Sequence, residues 1–209
     1  MKTKNKLTPT VYGIGYVGIG KHKTTGIDGK KTKCRTYWGN IMQRCYDDKK
    51  QQKMPTYKGC YVSEEWHNFQ NFADWYEKNY YEIPGEKMCI DKDILVKNNK
   101  IYSADTCIFV PERINQIFIK RQNDRGNCPI GVRERCRKTG AKYEARCNVY
   151  KDGKAKNIYL GLYNTKNEAF QVYKEFKETY IKQVADEYKD KIPEKLYNAL
   201  YDYKIEIDD

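Results

Sequence analysis

Across residues 131–163, charged and apolar side chains alternate in three short runs, and this period of two constrains the fold more than any other feature of the chain. The runs lie near 131–137, 142–150 and 156–163 and read as strands. Between them, Lys138–Ala141 and Lys151–Lys154, with Gly140 and Gly153, supply the chemistry of tight turns. A helix is predicted next, from about Thr165 to Tyr188, with Ala169, Val172, Tyr173, Phe176, Tyr180 and Val184 on its inner face. A last helix starts around Pro193, a favoured first-turn residue, and carries Leu196, Leu200 and Tyr203.

Charge is distributed unevenly along the chain. Of the net +12, residues 1–60 carry +11, residues 61–120 carry −3, residues 121–163 carry +7 and residues 164–209 carry −3. Basic stretches on folded elements attract phosphate backbones and release counterions on binding. A solvated, lysine-rich surface is the other reading, and for the first 60 residues the two are evenly matched. Residues 121–163 differ because they hold six of the nine arginines. On the first strand Arg133, Arg135 and Arg137 alternate with Val132, Glu134 and Cys136, so strand geometry puts all three guanidiniums on one face. A guanidinium is a planar fork that grips guanine O6/N7 or a phosphate with two bonds, which an ammonium cannot do.

Other classes are disfavoured. There is no apolar run near the roughly 20 residues needed to span a bilayer, and Met1 to Thr10 lacks the apolar core of a signal peptide. Eight cysteines without a secretory signal point to free thiols in a reducing cytosol rather than to four disulfides. No pair has C-x-x-C spacing. A zinc site from Cys45, Cys60 and Cys107 with His67 is one option, and small buried hydrophobes are the commoner role. Apolar residues make up only 39% of the chain, but aromatics at 14% supply burial area enough for a folded protein.

The polar stretch 121–130, with Gly126 and Pro129, is the expected linker between a domain at 1–120 and a domain at 131–209. In the first half, residues 11–31 are glycine-punctuated and β-prone. GIGYVGIG superficially resembles a phosphate-cradling loop, but no helix and no Gly-Lys-Ser/Thr follows it. Tyr37, Trp38, Ile41, Met42 and Cys45 have helical spacing within 35–46. A second helix is predicted with Ser63 as its cap and Trp66, Phe69, Phe72, Trp75 and Tyr76 as a core stripe, ending before Pro84-Gly85. Residues 88–115 read as a strand (MCIDKDILV), a turn at Asn98-Asn99, a short strand (KIYS) and then DTCIFVPERIN.

The second half also carries a family pattern. Gly131-Val132-Arg133-x-Arg135, Lys142-Tyr143-x-Ala145-Arg146, Ile158-Tyr159-Leu160-Gly161-x-Tyr163-x-Thr165, Glu168-Ala169 and Tyr173 resemble the APETALA/ethylene-response-factor type of DNA-binding domain over some 45 residues. Tyr143 stands where the plant members usually have Trp. The resemblance implies an antiparallel three-stranded sheet packed on one helix, with the sheet in the major groove. It implies DNA contacts at Arg133, Arg135, Tyr143 and Arg146, with Arg137 and Lys142 in support.

The string Ile90-Asp91-Lys92-Asp93-Ile94, Asn99-Lys100-x-Tyr102-Ser103, Thr106-Cys107-x-Phe109-Val110-Pro111-x-x-Ile114-Asn115, together with RCY at 44–46, CYVSEEW at 60–66 and FQNFADWY at 69–76, is similar to phage proteins grouped with HNH homing endonucleases. That resemblance implies a ββα unit in which Asp91 and Asn115 hold one Mg²⁺ or Mn²⁺ ion. The general-base position holds Lys92 in place of the family's histidine, and neither His22 nor His67 follows an Asp. Asp93 is then the group left to position water. The expected fold class is α+β: an HNH-like ββα domain followed by the three-stranded sheet and helix. The expected partner is double-stranded DNA. Metal-dependent cleavage, DNA binding without cleavage, and an anti-defence protein contacting a host protein all remain open.

Overall fold

The computed structural model describes residues 7–119, 126–137, 140–151 and 154–209, with the side chains at 136, 137, 140, 141 and 151 outside that description. The start of the expected linker (121–125) and the tips of both turns at 138–139 and 152–153 also lie outside the described residues. The architecture is mixed α+β. No helix among the described residues is long and apolar enough to cross a membrane. Two compact units partition the chain: Met1–Glu82 with Ile90–Phe109, and Ile83–Cys89 with Val110–Asp209. The divisions therefore fall earlier in the chain than the glycine-proline linker.

The first unit is organised by aromatic side chains. Helix α1 (Lys33–Tyr46) starts where the Thr32 hydroxyl accepts the Arg35 N–H at 3.1 Å, and it buries Trp38, Ile41, Met42 and Cys45, as their spacing predicts. A short helix α2 (Asp48–Lys53) is capped by Asp47. After strand β1 (Tyr61–Val62) the expected single helix is split in two. Ser63 caps nothing, and its buried hydroxyl has no hydrogen-bond partner among the described residues. A 3₁₀ turn at Glu64–His67 comes first, and Asn68 then caps α3 (Phe69–Asn79) by accepting the Gln70 N–H. The break lets the Trp66 carbonyl accept the Trp38 indole N–H at 2.6 Å, so two large rings pack without an unpaired polar group.

Strands β2 (Met88–Asp91) and β4 (Ile108–Pro111) pair with each other, and α4 (Glu112–Ile117) follows β4 directly. The predicted hairpin is corrected on one point. Strand β3 (Ile101–Tyr102) does not return along β2; it pairs parallel with β1, Tyr61 opposite Ile101 and Val62 opposite Tyr102. The predicted strand 88–96 ends at Asp91 because that carboxylate accepts the N–H groups of Asp93 and Ile94, at 2.7 and 2.8 Å, and turns the chain.

In the second unit the alternating runs form an antiparallel sheet in the order β5 (Val132–Arg137), β6 (Gly140–Lys151), β7 (Lys154–Tyr163). Helix α5 (Lys166–Glu187) opens with a capping box, Thr165 and Glu168 each satisfying the other's backbone N–H. It lies on the face of the sheet that carries Val132, Ala145 and Cys147, all buried. The predicted inner stripe of α5 is displaced. Ala169, Tyr173 and Val184 are buried as expected, but Phe170, Lys177, Ile181 and Ala185 are buried too, while Val172, Phe176 and Tyr180 are half-buried. The helix is covered on two sides, by the sheet and by α6 (Glu194–Tyr201) with Leu196 and Leu200, so it buries a wider arc than one stripe. Helix α4 joins this unit through Ile114 and Ile117, the Arg113–Glu187 ion pair at 2.6 Å and the Arg113 hydrogen bond to the Tyr150 carbonyl.

Phe109 is the keystone of the aromatic cluster. It is fully buried, with the rings of Tyr37, Trp75, Tyr76 and Tyr80 between 5.1 and 5.6 Å away. Phe109→Ala is expected to cost about 3–5 kcal/mol in urea unfolding at unchanged m-value. A loss below about 1 kcal/mol would mean that the cluster repacks around the hole.

Candidate nucleic-acid interface

Cross-strand register assigns each side chain of the sheet to a face. Arg133 stands opposite Glu144 and Arg135 opposite Lys142, while Val132 stands opposite the buried Ala145. Residues paired across antiparallel strands share a face, so Arg133, Arg135, Lys142, Glu144 and Arg146 line the face turned away from α5. On β7, Leu162 pairs with Glu144, Tyr159 with Arg146 and Asn157 with Asn148, extending the same face. The register shifts between Ala145 and Arg146, where β7 holds one extra residue, Leu160. Such bulges bend a strand and re-aim its neighbours. Gly161 makes this one possible: its φ is +131°, and a Cβ there would lie 2.5 Å from the Tyr163 hydroxyl.

A polar network crosses all three strands. The Glu144 carboxylate, its side chain only 6% exposed, accepts Arg135 Nε on one oxygen and Arg146 Nε and Nη2 on the other, each at 2.6 Å. Arg146 Nη1 also donates to Asn157 Oδ1 at 2.9 Å, and the Asn157 amide donates to Asn148 Oδ1 at 2.7 Å. Its guanidinium carbon lies 5.8 Å from the centre of the Tyr159 ring, which is 57% exposed. Burial pushes the Glu144 carboxyl up, but the hydrogen bonds and charges of Arg146 and Arg135 outweigh it and hold the group below the usual carboxylate range. Two guanidiniums thus share one negative charge, and both remain about 40% exposed.

The remaining predicted contacts divide. Arg133 is exposed and has no ion-pair partner among the described residues. Lys142 donates to Asn164 Oδ1 at the mouth of α5. Tyr143 alternates with Glu144 and so lies on the helix side with Ala145, its ring centre 5.8 Å from the Lys166 ammonium. The Arg137 side chain lies outside the described residues. The sequence reading missed Glu144, Asn157 and Tyr159 as members of this face. Period-two alternation from Arg146 points to Glu144, but the bulge at Leu160 hides the two residues of β7.

The residues expected to bind metal fall in different units. Asp91 belongs to the first unit and Asn115, on α4, to the second. The Asp91 carboxyl is raised above its ordinary range, chiefly by burial, although its turn hydrogen bonds oppose this. Lys92 is buried, its ammonium 2.6 Å from Asp93 Oδ1, 2.5 Å from the Asn99 carbonyl and 5.8 Å from the centre of the Tyr102 ring. Asn99 returns hydrogen bonds to the Lys92 and Ile101 carbonyls. This closes the 91–101 turn, and it gives Lys92 and Asp93 to each other.

Cys45, Cys60, Cys107 and His67 do not converge on a point. His67 Nε2 lies 3.1 Å from the Val62 carbonyl, and burial pushes the Cys45 and Cys107 thiols up to about 12. Among the described residues, Cys34, Cys45, Cys60, Cys107, Cys128 and Cys147 are free thiols. No family model, curated protein or solved structure matches the chain.

Proposed function

We propose that the protein binds double-stranded DNA through the open face of the β5–β6–β7 sheet. One observation carries this reading: Arg133, Arg135, Arg146 and Lys142 share a face that the protein's own helix leaves uncovered, with Glu144 as the one carboxylate set among them in the described residues. Three strands about 4.8 Å apart make a ribbon about 10 Å wide, comparable with the roughly 12 Å of the major groove. The shared carboxylate supports a reader rather than a simple charged patch. It leaves the net charge of the face positive while fixing two planar forks in orientation, which is what bidentate recognition of base edges requires.

Duplex binding, followed by fluorescence anisotropy from 50 to 200 mM salt, tests the reading. Arg133→Ala with Arg135→Ala should weaken binding about 10- to 100-fold and reduce the slope of log K against log salt by about 2, since each lost phosphate contact removes about 0.9. An unchanged slope would remove the sheet from the interface.

Glu144→Gln should do the opposite to total affinity and harm discrimination. With the carboxylate charge gone, non-specific binding strengthens and its salt dependence steepens, while the ratio of best to random duplex falls, because the forks lose their anchor. The same substitution reports on acid stability. A carboxyl held low in the fold contributes fully above its unfolded value of about 4.3 and loses that contribution as pH falls through the folded value. The wild type should therefore lose more stability than Glu144→Gln on acidification below about pH 4.

Metal-dependent cleavage is a second reading, favoured by the strand–strand–helix order of β2, β4 and α4 with Asp91 ending the first strand. It predicts nicking of supercoiled plasmid with Mg²⁺ or Mn²⁺ that Asp91→Ala abolishes. Intact plasmid with every metal, beside retained binding, leaves a DNA-binding protein without cleavage.

A further inference from the structure

We infer that His22, Asp74 and Glu77 form a binding site for a divalent transition cation of the zinc class. One ligand atom from each lies within 4.8 Å of the others. Asp74 and Glu77 stand three residues apart on α3, so they project from the same face. His22 reaches them from the loop before α1, its Nε2 2.8 Å from Asp74 Oδ1 and its Nδ1 3.3 Å from Glu77 Oε1.

The backbone that carries His22 is fixed in place by the fold. Gln70, itself 6% exposed, accepts the His22 backbone N–H at 3.0 Å and donates to the backbone carbonyls of His22 and Val17 at 3.1 and 3.3 Å. The loop presses so closely on this amide that a Cβ at Gly20 would lie 2.4 Å from Gln70 Oε1. The glycine string that resembles a phosphate loop therefore brings a histidine against a helix, with its side chain only 10% exposed. A ligand held by buried scaffolding loses little entropy when a metal binds.

The side-chain cation of Lys21 lies beside the two carboxylates. The Lys21 ammonium sits 2.9 Å from Glu77 Oε2 and 3.8 Å from Asp74 Oδ1 on a side chain 69% exposed, which can swing away. One imidazole nitrogen with two carboxylate oxygens suits Zn²⁺ or Co²⁺ rather than the all-oxygen preference of Mg²⁺ and Ca²⁺. Three protein ligands leave the fourth tetrahedral position to water. The site lies within the first unit and is independent of the DNA-binding reading.

Calorimetric titration of the full chain with Zn²⁺, under reducing conditions, tests it. One equivalent should bind, His22→Gln should weaken that binding about tenfold or more, and Lys21→Met should strengthen it by removing the competing ammonium. Failure of the wild type to bind overturns the inference. So does equal affinity in His22→Gln, which would assign the ion to thiols. Because a His22 variant can be impaired by loop disorder alone, Lys21→Met decides separately: unchanged or weaker binding in that variant also overturns the site.

Discussion

The Glu144 carboxylate, held between Arg135 and Arg146, is the constraint on which the outer face of the sheet depends. Two guanidiniums on adjacent strands repel and, unanchored, would sample many rotamers. A carboxylate between them removes the repulsion and gives each planar group a hydrogen-bonded orientation. Burying that carboxylate is tolerable only because both of its oxygens are satisfied by charged donors. The arrangement links strand order to surface chemistry: Arg135 comes from β5, Glu144 and Arg146 from β6, and Asn157 from β7.

The opposite face of the same sheet shows how differently a charge fares without such a partner. Lys177 of α5 is 6% exposed, beside Cys147, and burial lowers its affinity for a proton. It has no carboxylate ion-pair partner among the described residues, in contrast to Lys92, which is equally buried but sits on Asp93 and the Asn99 carbonyl. Lys92 therefore closes a turn at modest cost, whereas Lys177 opposes folding while it carries its proton.

The first unit gains its rigidity from aromatic packing in place of aliphatic bulk. Trp38, Trp66, Phe69, Phe72 and Phe109 are all essentially buried; Trp38 packs edge-on against Phe69, and ring contacts link Trp66 and Phe72 to Phe109 through Trp75 and Tyr76. Large rings bury about 150–250 Å² each, so a few of them stabilise a small unit whose remaining sequence is largely polar. On this base α3 presents Asp74 and Glu77 outward while Gln70 reaches back to fix the His22 loop.

Local pattern by itself marked strands near 131–137, 142–150 and 156–163, a helix from about Thr165 to Tyr188, and the face shared by Arg133 and Arg135; the structure places these elements at 132–137, 140–151, 154–163 and 166–187. These rest on interactions between near neighbours, and a period of two or 3.6 is written directly into residue order. Only the tertiary structure decided what those patterns meet. The pairing of β3 with β1 joins segments 40 residues apart. The side of the sheet taken by Tyr143 depends on which face α5 covers, and the sharing of Glu144 depends on strand register. The grouping of His22 with Asp74 and Glu77 depends on an amide 48 residues away from the loop it holds. Contacts of that kind arise from the closing of long loops around a common core, and no window of neighbouring residues records them.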